Sequence, residues 1–314
     1  MKARPKLEDY DYNLEKTLNA IVSITAIIPE DAMTAEALGT ERSGNGVIMD
    51  DGLILTIGYL VTEADTIWLT LSDGTVVPGH VLGCDQATGF GLIQALAHLN
   101  QSGLKLGDSS LLEVGEDVIV CGFGGLDHAI AAQVVAKKEF VGYWEYLLDE
   151  AIFTAPIHGR WGGTAVVNKF GDIVGIGSLQ VQHSSLDRNA SDWNMVVPIN
   201  LLKPVFEDLK TIGRRASPAR PWLGIYAADL NNKILVAGIT SGGPADRTDL
   251  AIGDRILSVN ECKVFDLAQF FRCIWSLGNA GADIPLRIQR EGHTLDIIIA
   301  SADRFDLLKK PTIH

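Results

Sequence analysis

The chain has 314 residues, of which 47% are apolar, and its formal net charge is −13. This length is sufficient for two domains with buried cores. The negative charge provides no positive surface that could release counterions from a phosphate backbone, so nucleic acid is excluded as an expected partner. No apolar run reaches the roughly 20 residues that a membrane-spanning helix needs, and we therefore expect no membrane span.

The N-terminal segment and the cysteines both bear on the expected location. Residues 1–19 place four acidic residues ahead of any apolar run, unlike the first region of a signal peptide. The cysteines stand singly, without the CxxC spacing of zinc or redox motifs, at Cys84, Cys121, Cys262 and Cys273. We expect buried, reduced thiols and a cytoplasmic location.

Residues 20–198 show the pattern of an all-β domain. Short apolar runs alternate with Gly and Asp-Gly turn signals, of which Asp73-Gly74 is the clearest, because this dipeptide tolerates the positive φ of a tight hairpin. Many short strands separated by turns predict a barrel or a sandwich. The first predicted helix covers residues 200–213 and has Asn200 as its N-cap.

A second, smaller domain follows an extended segment. Residues 214–221 combine cations, serine and two prolines without periodicity, which is typical of a linker. The main helix predicted beyond it runs from Leu267 to Leu277, with Asp266 as its N-cap and Gly278 as its stop. A closing hairpin is predicted to turn at Glu291-Gly292.

An aromatic run at residues 139–150 has two interpretations. It brings together four rings and four acidic residues, the rings being Phe140, Tyr143, Trp144 and Tyr146. The run could form an exposed patch that binds a partner, or its rings could pack in the barrel.

Several motifs in order resemble the HtrA/DegP family of trypsin-fold serine proteases with a C-terminal PDZ domain. SGNGVIMDDGLILT at 43–56 resembles the family's opening hairpin, and residues 104–124 resemble its Lys-Leu-Gly-Asp-Ser segment. MVVPINLLKPVFEDL at 195–209 resembles the closing strand and helix. WLGI at 222–225 and SGGPADRTDLAIGDRILSVN at 241–260 resemble the family's PDZ domain.

The resemblance implies a mainly β fold in which a trypsin-like double β-barrel precedes a small α/β PDZ domain. The expected division is an N-terminal extension at 1–19, a protease-fold domain at 20–213, a linker at 214–221, a PDZ domain at 222–303 and a tail at 304–314.

None of the three positions of the family's catalytic triad carries the family's residue. Where the family has its catalytic His, LILTIGYLV has Tyr59, and where it has the orienting Asp, DQATGFGLI has Gly89. The nucleophile position falls on Gly162 in one alignment of HGRWGGTA and on Trp161 in the other. Loss of triad members lowers turnover by about 10⁴- to 10⁶-fold, so we interpret the domain as a pseudoprotease.

A replacement catalytic set is the competing interpretation. His158 in the same loop could act as the base, with Ser178 or Thr164 as the nucleophile. The chain would then be an active HtrA-type serine endopeptidase of protein quality control. A lone histidine in a loop is also commonly a solvated polar residue. We expect no metal and no cofactor, because no histidine pair has ligand spacing.

The resemblance assigns peptide binding to the PDZ domain. Leu223, Gly224 and Ile225 match the loop that binds a peptide's terminal carboxylate, and the peptide would add as a strand beside it. The helix residues Phe270, Phe271 and Ile274 would line the side-chain pocket together with Leu223 and Ile225, although some of them could instead fill the core.

The sequence therefore predicts a non-proteolytic adaptor that binds protein or peptide C-termini. A homo-oligomer, or a hetero-oligomer with HtrA-type subunits, is a further expectation of the resemblance.

Overall fold

The computed structural model describes residues 4–183 and 191–310. They form two compact units. The first consists of residues 4–138, 150–216 and Lys310, and the second consists of Glu139–Asp149 and Ser217–Lys309. The domain boundaries given above remain a prediction, and contiguous boundaries could not have assigned Glu139–Asp149 to the second unit.

The first unit begins with a closed barrel of six strands in the order β1-β2-β3-β6-β5-β4. These strands are β1 (Ile21–Ile27), β2 (Glu41–Ile48), β3 (Ile54–Ile57), β4 (Thr66–Thr70), β5 (Val76–Cys84) and β6 (Phe90–Ala95). The Asp73-Gly74 turn joins β4 to β5 with Gly74 at φ 84°, which confirms the predicted hairpin. All strand pairs in this barrel are antiparallel.

A second closed barrel has the order β10-β11-β12-β9-β8-β7. Its strands are β7 (Asp117–Cys121), β8 (Ala129–Gly142), β9 (Tyr146–Ala155), β10 (Ala165–Val167), β11 (Ile173–His183) and β12 (Ser191–Pro198). Alternate residues of these strands, mostly Val and Ile, form its core. The two barrels confirm the expected trypsin-like double β-barrel.

The helices of the first unit are short: α1 (Leu14–Asn19), α2 (Ala35–Leu38) and α3 (Phe206–Ile212). The helix predicted at 200–213 was wrong at its start. Asn200 lies in a 3₁₀ turn, and its side-chain amide donates to Asp108 Oδ1 at 2.6 Å instead of capping α3. Pro204, two residues before α3, disfavours a helical conformation in the residue that precedes it, so the helix begins only at Phe206.

The second unit contains a six-stranded sheet in which β13 is an edge strand. The strands are β13 (Ile225–Asp229), β14 (Ile234–Ile239), β15 (Arg255–Val259), β16 (Cys262–Lys263), β17 (Asp283–Arg290) and β18 (His293–Ala300). The helices are α4 (Leu267–Ser276) and α5 (Arg304–Leu307). Asp266 Oδ1 accepts a hydrogen bond from Gln269 N at 2.7 Å, which confirms the predicted N-cap.

The cysteines fall into two kinds. Cys84 and Cys121 are buried, as expected. Cys262 is exposed and Cys273 is half-buried, and their sulfur atoms lie 2.7 Å apart. The expectation of four singly placed, buried thiols was therefore wrong for this pair, because residues 11 positions apart in the sequence meet where β16 faces α4. None of the described helices is long and apolar enough to cross a bilayer.

Gly163 is the glycine on which the geometry of the site most depends. Its φ is 75°, and a Cβ there would overlap the carbonyl oxygen of Asn45. Gly74 also has a positive φ, 84°, but has open space around it. We expect Gly74→Ala to lower the free energy of unfolding by about 1 kcal/mol. Gly163→Ala should lower it by about 3 kcal/mol or more, since the overlap adds to the backbone strain.

Urea unfolding of the two variants, with the first unit followed by amide hydrogen exchange, measures this difference. Equal losses of stability would show that strand β2 and the loop around Gly163 are not in close contact.

Candidate functional site: the barrel groove and the PDZ carboxylate loop

The loop at residues 158–164 is fixed against β2 by Asn45, which is only 4% exposed. The Asn45 backbone N–H and its side-chain amide donate to the Gly162 carbonyl at 2.9 and 3.0 Å. The same amide donates to the Arg160 carbonyl at 2.9 Å, and Asn45 Oδ1 accepts from Phe123 N at 2.8 Å. These bonds turn the carbonyls of residues 160 and 162 toward Asn45.

Tyr59 meets this loop at the predicted nucleophile position. The 3₁₀ turn Gly58–Leu60 directly after β3 positions the ring, and the hydroxyl donates to the Ser178 carbonyl at 2.8 Å. A Cβ added to Gly162 would lie 2.7 Å from this hydroxyl oxygen. The Tyr59 hydroxyl therefore occupies the space into which a side chain at position 162 would extend.

The environment of Tyr59 keeps its hydroxyl protonated. Burial raises the pKa of Tyr59 well above its usual range, and a hydrogen bond with the Trp161 side chain only partly opposes this effect. A group that holds its proton this tightly cannot take a proton from a nucleophile near neutral pH.

Gly89 lies beside the same turn. Its carbonyl accepts a hydrogen bond from Gly58 N at 2.6 Å, and its φ is 86°. The structure thus brings together the three regions that the sequence comparison selected, around Tyr59, Gly89 and Trp161-Gly162.

Asp85 is the acidic residue nearest to Gly89 in the sequence, four positions before it. Its side chain is buried, with 3% exposed. Arg215 donates to both of its oxygens, at 2.7 and 3.2 Å, and Thr88 Oγ1 donates to Oδ2 at 2.6 Å. These contacts engage Asp85 in holding the chain after α3.

His158 is 4% exposed and forms hydrogen bonds with the backbone through both ring nitrogens. Nδ1 accepts from Arg160 N at 3.1 Å, so Nε2 carries the proton and donates to the His128 carbonyl at 3.0 Å. The Thr164 hydroxyl donates to the Trp161 carbonyl at 2.9 Å. The possibility that His158 is a solvated loop residue was wrong, because the loop folds over its ring.

The PDZ carboxylate loop holds a carboxylate of this chain. The backbone N–H groups of Leu223, Gly224 and Ile225 all donate to the side chain of Glu145, at distances from 2.8 to 3.2 Å. Burial raises the pKa of Glu145 to about 7, while these N–H groups and Arg304 lower it. Glu145 lies between Trp144 and Tyr146 in the aromatic run, where no motif of the sequence marks it as a ligand of this loop.

The residues predicted to line the peptide pocket are inside the core of the second unit. Each is at most 2% exposed: Leu223, Ile225, Phe270, Phe271 and Ile274. Val141, near the end of β8, packs against this core. Their role as a peptide pocket stays a prediction.

No cluster of three or more His, Cys, Asp or Glu side chains in residues 4–183 and 191–310 could hold a metal ion.

Comparison with known proteins defines the class to which this fold belongs. The model of a trypsin-like peptidase domain matches residues 44–176, and the model of a PDZ domain matches residues 221–300. The chain therefore combines a trypsin-like peptidase fold with a PDZ domain.

The curated relatives define the family more closely. Relatives from several bacteria are named probable periplasmic serine endoprotease DegP-like. The protein from Pseudomonas putida (strain W619) is 31% identical over 82% of this chain and 56% of the relative. The protein from Halomonas elongata is 26% identical over 83% of this chain and 56% of the relative. The chain belongs to the HtrA/DegP-like family of serine proteases with a PDZ domain, and it spans less than two thirds of these relatives' length.

Solved structures agree on the fold. The HtrA-type protease AlgW with a decapeptide aligns with a TM-score of 0.54 at 19% identity, over 95% of this chain and 98% of the other. A serine endoprotease from Yersinia pestis aligns with a TM-score of 0.53 at 22% identity, over 93% of this chain and 98% of the other.

The expected cytoplasmic location was wrong, since the curated relatives are named periplasmic. One of its two premises, that all four thiols are buried, also failed, because Cys262 and Cys273 are not buried. The contact between Cys262 and Cys273 makes the number of separately placed cysteines a poor guide to compartment.

The contact between Tyr59 and Gly162 can be tested by a double-mutant cycle. We expect Gly162→Ser to lower the free energy of unfolding by about 1 to 2 kcal/mol, because the new side chain displaces the Tyr59 hydroxyl from its hydrogen bond. Tyr59→Phe removes only the oxygen that the new Cβ meets. In the Tyr59→Phe background, Gly162→Ser should therefore change the free energy of unfolding only slightly. Urea unfolding of the wild type, both single variants and the double variant gives the coupling energy.

A coupling energy of zero would contradict the placement of the Tyr59 hydroxyl beside Gly162.

Proposed function

We propose that this chain is a non-proteolytic member of the HtrA/DegP-like family that binds peptide C-termini through its PDZ domain. The observation that carries the proposal is the Tyr59 hydroxyl beside Gly162, bonded to the Ser178 carbonyl at 2.8 Å. Gly162, one of the two predicted nucleophile positions, has no side chain, and the Tyr59 hydroxyl fills the space beside it.

Peptide hydrolysis by this fold needs a nucleophile, a base within hydrogen-bond reach and a group that orients the base. Gly162 and Gly89 have no side-chain atoms, and Trp161 has no nucleophilic atom. Tyr59 is a hydrogen-bond donor to a carbonyl, and its raised pKa keeps it so. We read these positions as a degenerate triad.

The replacement set receives no support from the geometry of His158. Its Nδ1 lone pair accepts from Arg160 N, and its Nε2 proton is directed to the His128 carbonyl. A base for Ser178 or Thr164 would need a free lone pair directed at the hydroxyl. The Thr164 hydroxyl is itself directed at the Trp161 carbonyl.

Peptide binding is supported by the carboxylate loop and by the edge of the PDZ sheet. Three successive N–H groups, of Leu223, Gly224 and Ile225, converge on one carboxylate position. The adjoining β13 is an edge strand, to which an extended peptide could add by main-chain hydrogen bonds. The proposed partners are protein or peptide C-termini with a hydrophobic last residue. We also propose a periplasmic location, which the names of the relatives support. Assembly with a second copy of the chain or with HtrA-type subunits is part of the same proposal.

The second candidate function is an active serine endopeptidase, which the names of the curated relatives favour. It requires that a serine outside the predicted positions is the nucleophile.

An activity-based probe separates the two candidates. The full chain should show neither fluorophosphonate labelling nor cleavage of unfolded casein, with turnover at least about 10⁴-fold below that of an active HtrA-type protease assayed in parallel. Stoichiometric labelling of one serine would contradict the proposal if changing that serine to alanine also abolished casein cleavage.

The binding site can be tested through two glycines of the same domain. Gly224 and Gly242 both have a positive φ, 75° and 70°, but only Gly224 belongs to the carboxylate loop. Because Glu145 accepts from the same N–H groups, both variants are compared in a Glu145→Ala background. There we expect Gly224→Val to weaken binding of C-terminal peptides by about tenfold or more, because the N–H groups on either side of it move apart. Gly242→Val should leave affinity within about twofold.

Fluorescence anisotropy with free and C-terminally amidated peptides measures both effects. Unchanged affinity in Gly224→Val would show that this loop does not bind the peptide.

A further inference from the structure

The hairpin tip Tyr143–Glu145, between β8 and β9, presents a carboxylate to the PDZ domain. This tip belongs to the second compact unit together with residues 217–309. Glu145 Oε1 accepts from Gly224 N at 2.8 Å and from Ile225 N at 3.0 Å, and Oε2 accepts from Leu223 N at 3.1 Å.

These donors are the same ones that the proposed function assigns to a peptide's terminal carboxylate. Consecutive backbone N–H groups that converge on one point form an anion site for a single carboxylate. A peptide carboxylate at that point would lie against the carboxylate of Glu145, where it would meet like charge and find its donors already used. The two carboxylates therefore exclude each other.

The tip also takes the position of an incoming strand at the sheet edge. Ala227 N of the edge strand β13 donates to the Tyr143 carbonyl at 2.9 Å. The ring of Tyr143 contacts that of Tyr226, with centroids 6.0 Å apart. A peptide that added to β13 would need the Ala227 N–H that Tyr143 now occupies.

The two legs of the hairpin are held to α4. Arg272 of α4 pairs with Glu139 before the tip at 2.5 Å and with Asp149 after it at 2.6 Å. Val141 packs against the core that includes Phe270 and Phe271. The hairpin thus reaches from β13 to α4, the two elements that the PDZ resemblance makes the walls of the peptide groove.

The contact between the Tyr143–Glu145 tip and the carboxylate loop is weakened by features of the hairpin itself. Glu145 has φ 61°, a conformation that glycine or asparagine adopts more easily, and its carboxylate is desolvated. The desolvation opposes docking of the tip. The ion pairs of Arg272 are exposed to solvent and hold the legs only weakly.

We propose that Glu145 is an internal ligand of the PDZ carboxylate loop, and that a peptide C-terminus binds only by displacing the Tyr143–Glu145 tip. The inference rests on the proposed peptide-binding function and adds its regulation. Peptide affinity is then reduced in proportion to the fraction of molecules whose groove is open, so a groove open in about 1% of molecules binds about 100-fold more weakly than a free one.

The test measures peptide affinity in the full chain with Glu145→Ala and a matched control. Glu291→Ala is the control, because Glu291 also has a positive φ, 48°, at the exposed turn of the β17–β18 hairpin. We expect Glu145→Ala to bind free-carboxylate peptides with a hydrophobic last residue about tenfold or more tightly than the wild type. Glu145→Gln should gain less, since its carbonyl still accepts hydrogen bonds but without charge. Glu291→Ala should match the wild type.

Amide hydrogen exchange of the wild type provides a second measurement that needs no variant to fold. Saturating free-carboxylate peptide should speed exchange at residues 143–145 while Gly224 and Ile225 stay protected by the new ligand. Amidated peptide should change neither.

The outcomes distinguish the two proposals. Equal peptide affinity in the wild type and both Glu145 variants, or a tip that stays protected with peptide bound, would overturn only the internal-ligand inference. Failure of free-carboxylate peptides to bind any variant, including well-folded Glu145→Gln, would overturn both proposals.

Discussion

The hydroxyl of Tyr59 beside the bare backbone of Gly162 is the contact on which the interpretation of the first unit depends. Its hydrogen bond to the Ser178 carbonyl joins the first barrel to the second beside Gly162, the predicted nucleophile position. The Tyr59 hydroxyl fills the space into which the side chain of a serine at position 162 would extend. The side-chain amide of Asn45 fixes the same loop through the carbonyls of Arg160 and Gly162.

A parallel arrangement occurs in the second unit. The PDZ carboxylate loop carries its three N–H groups in the geometry of an anion site, and the chain supplies the anion from Glu145. In the first unit the Tyr59 hydroxyl fills the space beside Gly162, the predicted nucleophile position. In the PDZ domain the occupying group leaves the binding atoms intact, so that displacement of the tip would expose a complete site.

Local sequence signals predicted the elements whose geometry is local. Asp73-Gly74 supplied its own positive φ, and Asp266 capped α4 through a bond to a residue three positions away. Asn200 looked equally suitable as a cap, but its amide bonds to Asp108, 92 residues away, and tertiary contact overrode the local preference. The positions around Tyr59, Gly89 and Gly162 were selected only through resemblance to a family, since no local pattern in the sequence marks them.

Contacts between distant residues could not be predicted from the sequence. Glu145 was one acid among several in an aromatic run, and only the fold shows that its side chain reaches residues 223–225. The run itself matched neither interpretation completely, because Tyr146 is buried while Tyr143 is 58% exposed and contacts Tyr226. Cys262 and Cys273 likewise became a pair only through the packing of β16 and α4.

The proposed absence of proteolysis requires that the Tyr59 hydroxyl keeps its proton, and this protonation state can be measured directly. In a protein labelled with ¹³C at the tyrosine Cζ, we expect the chemical shift of Tyr59 to stay constant as the pH is raised. It should show no ionisation up to and beyond the ordinary tyrosine pKa of about 10. Titration of Tyr59 well below that value would reveal a group able to act as a base in the groove and would contradict the account.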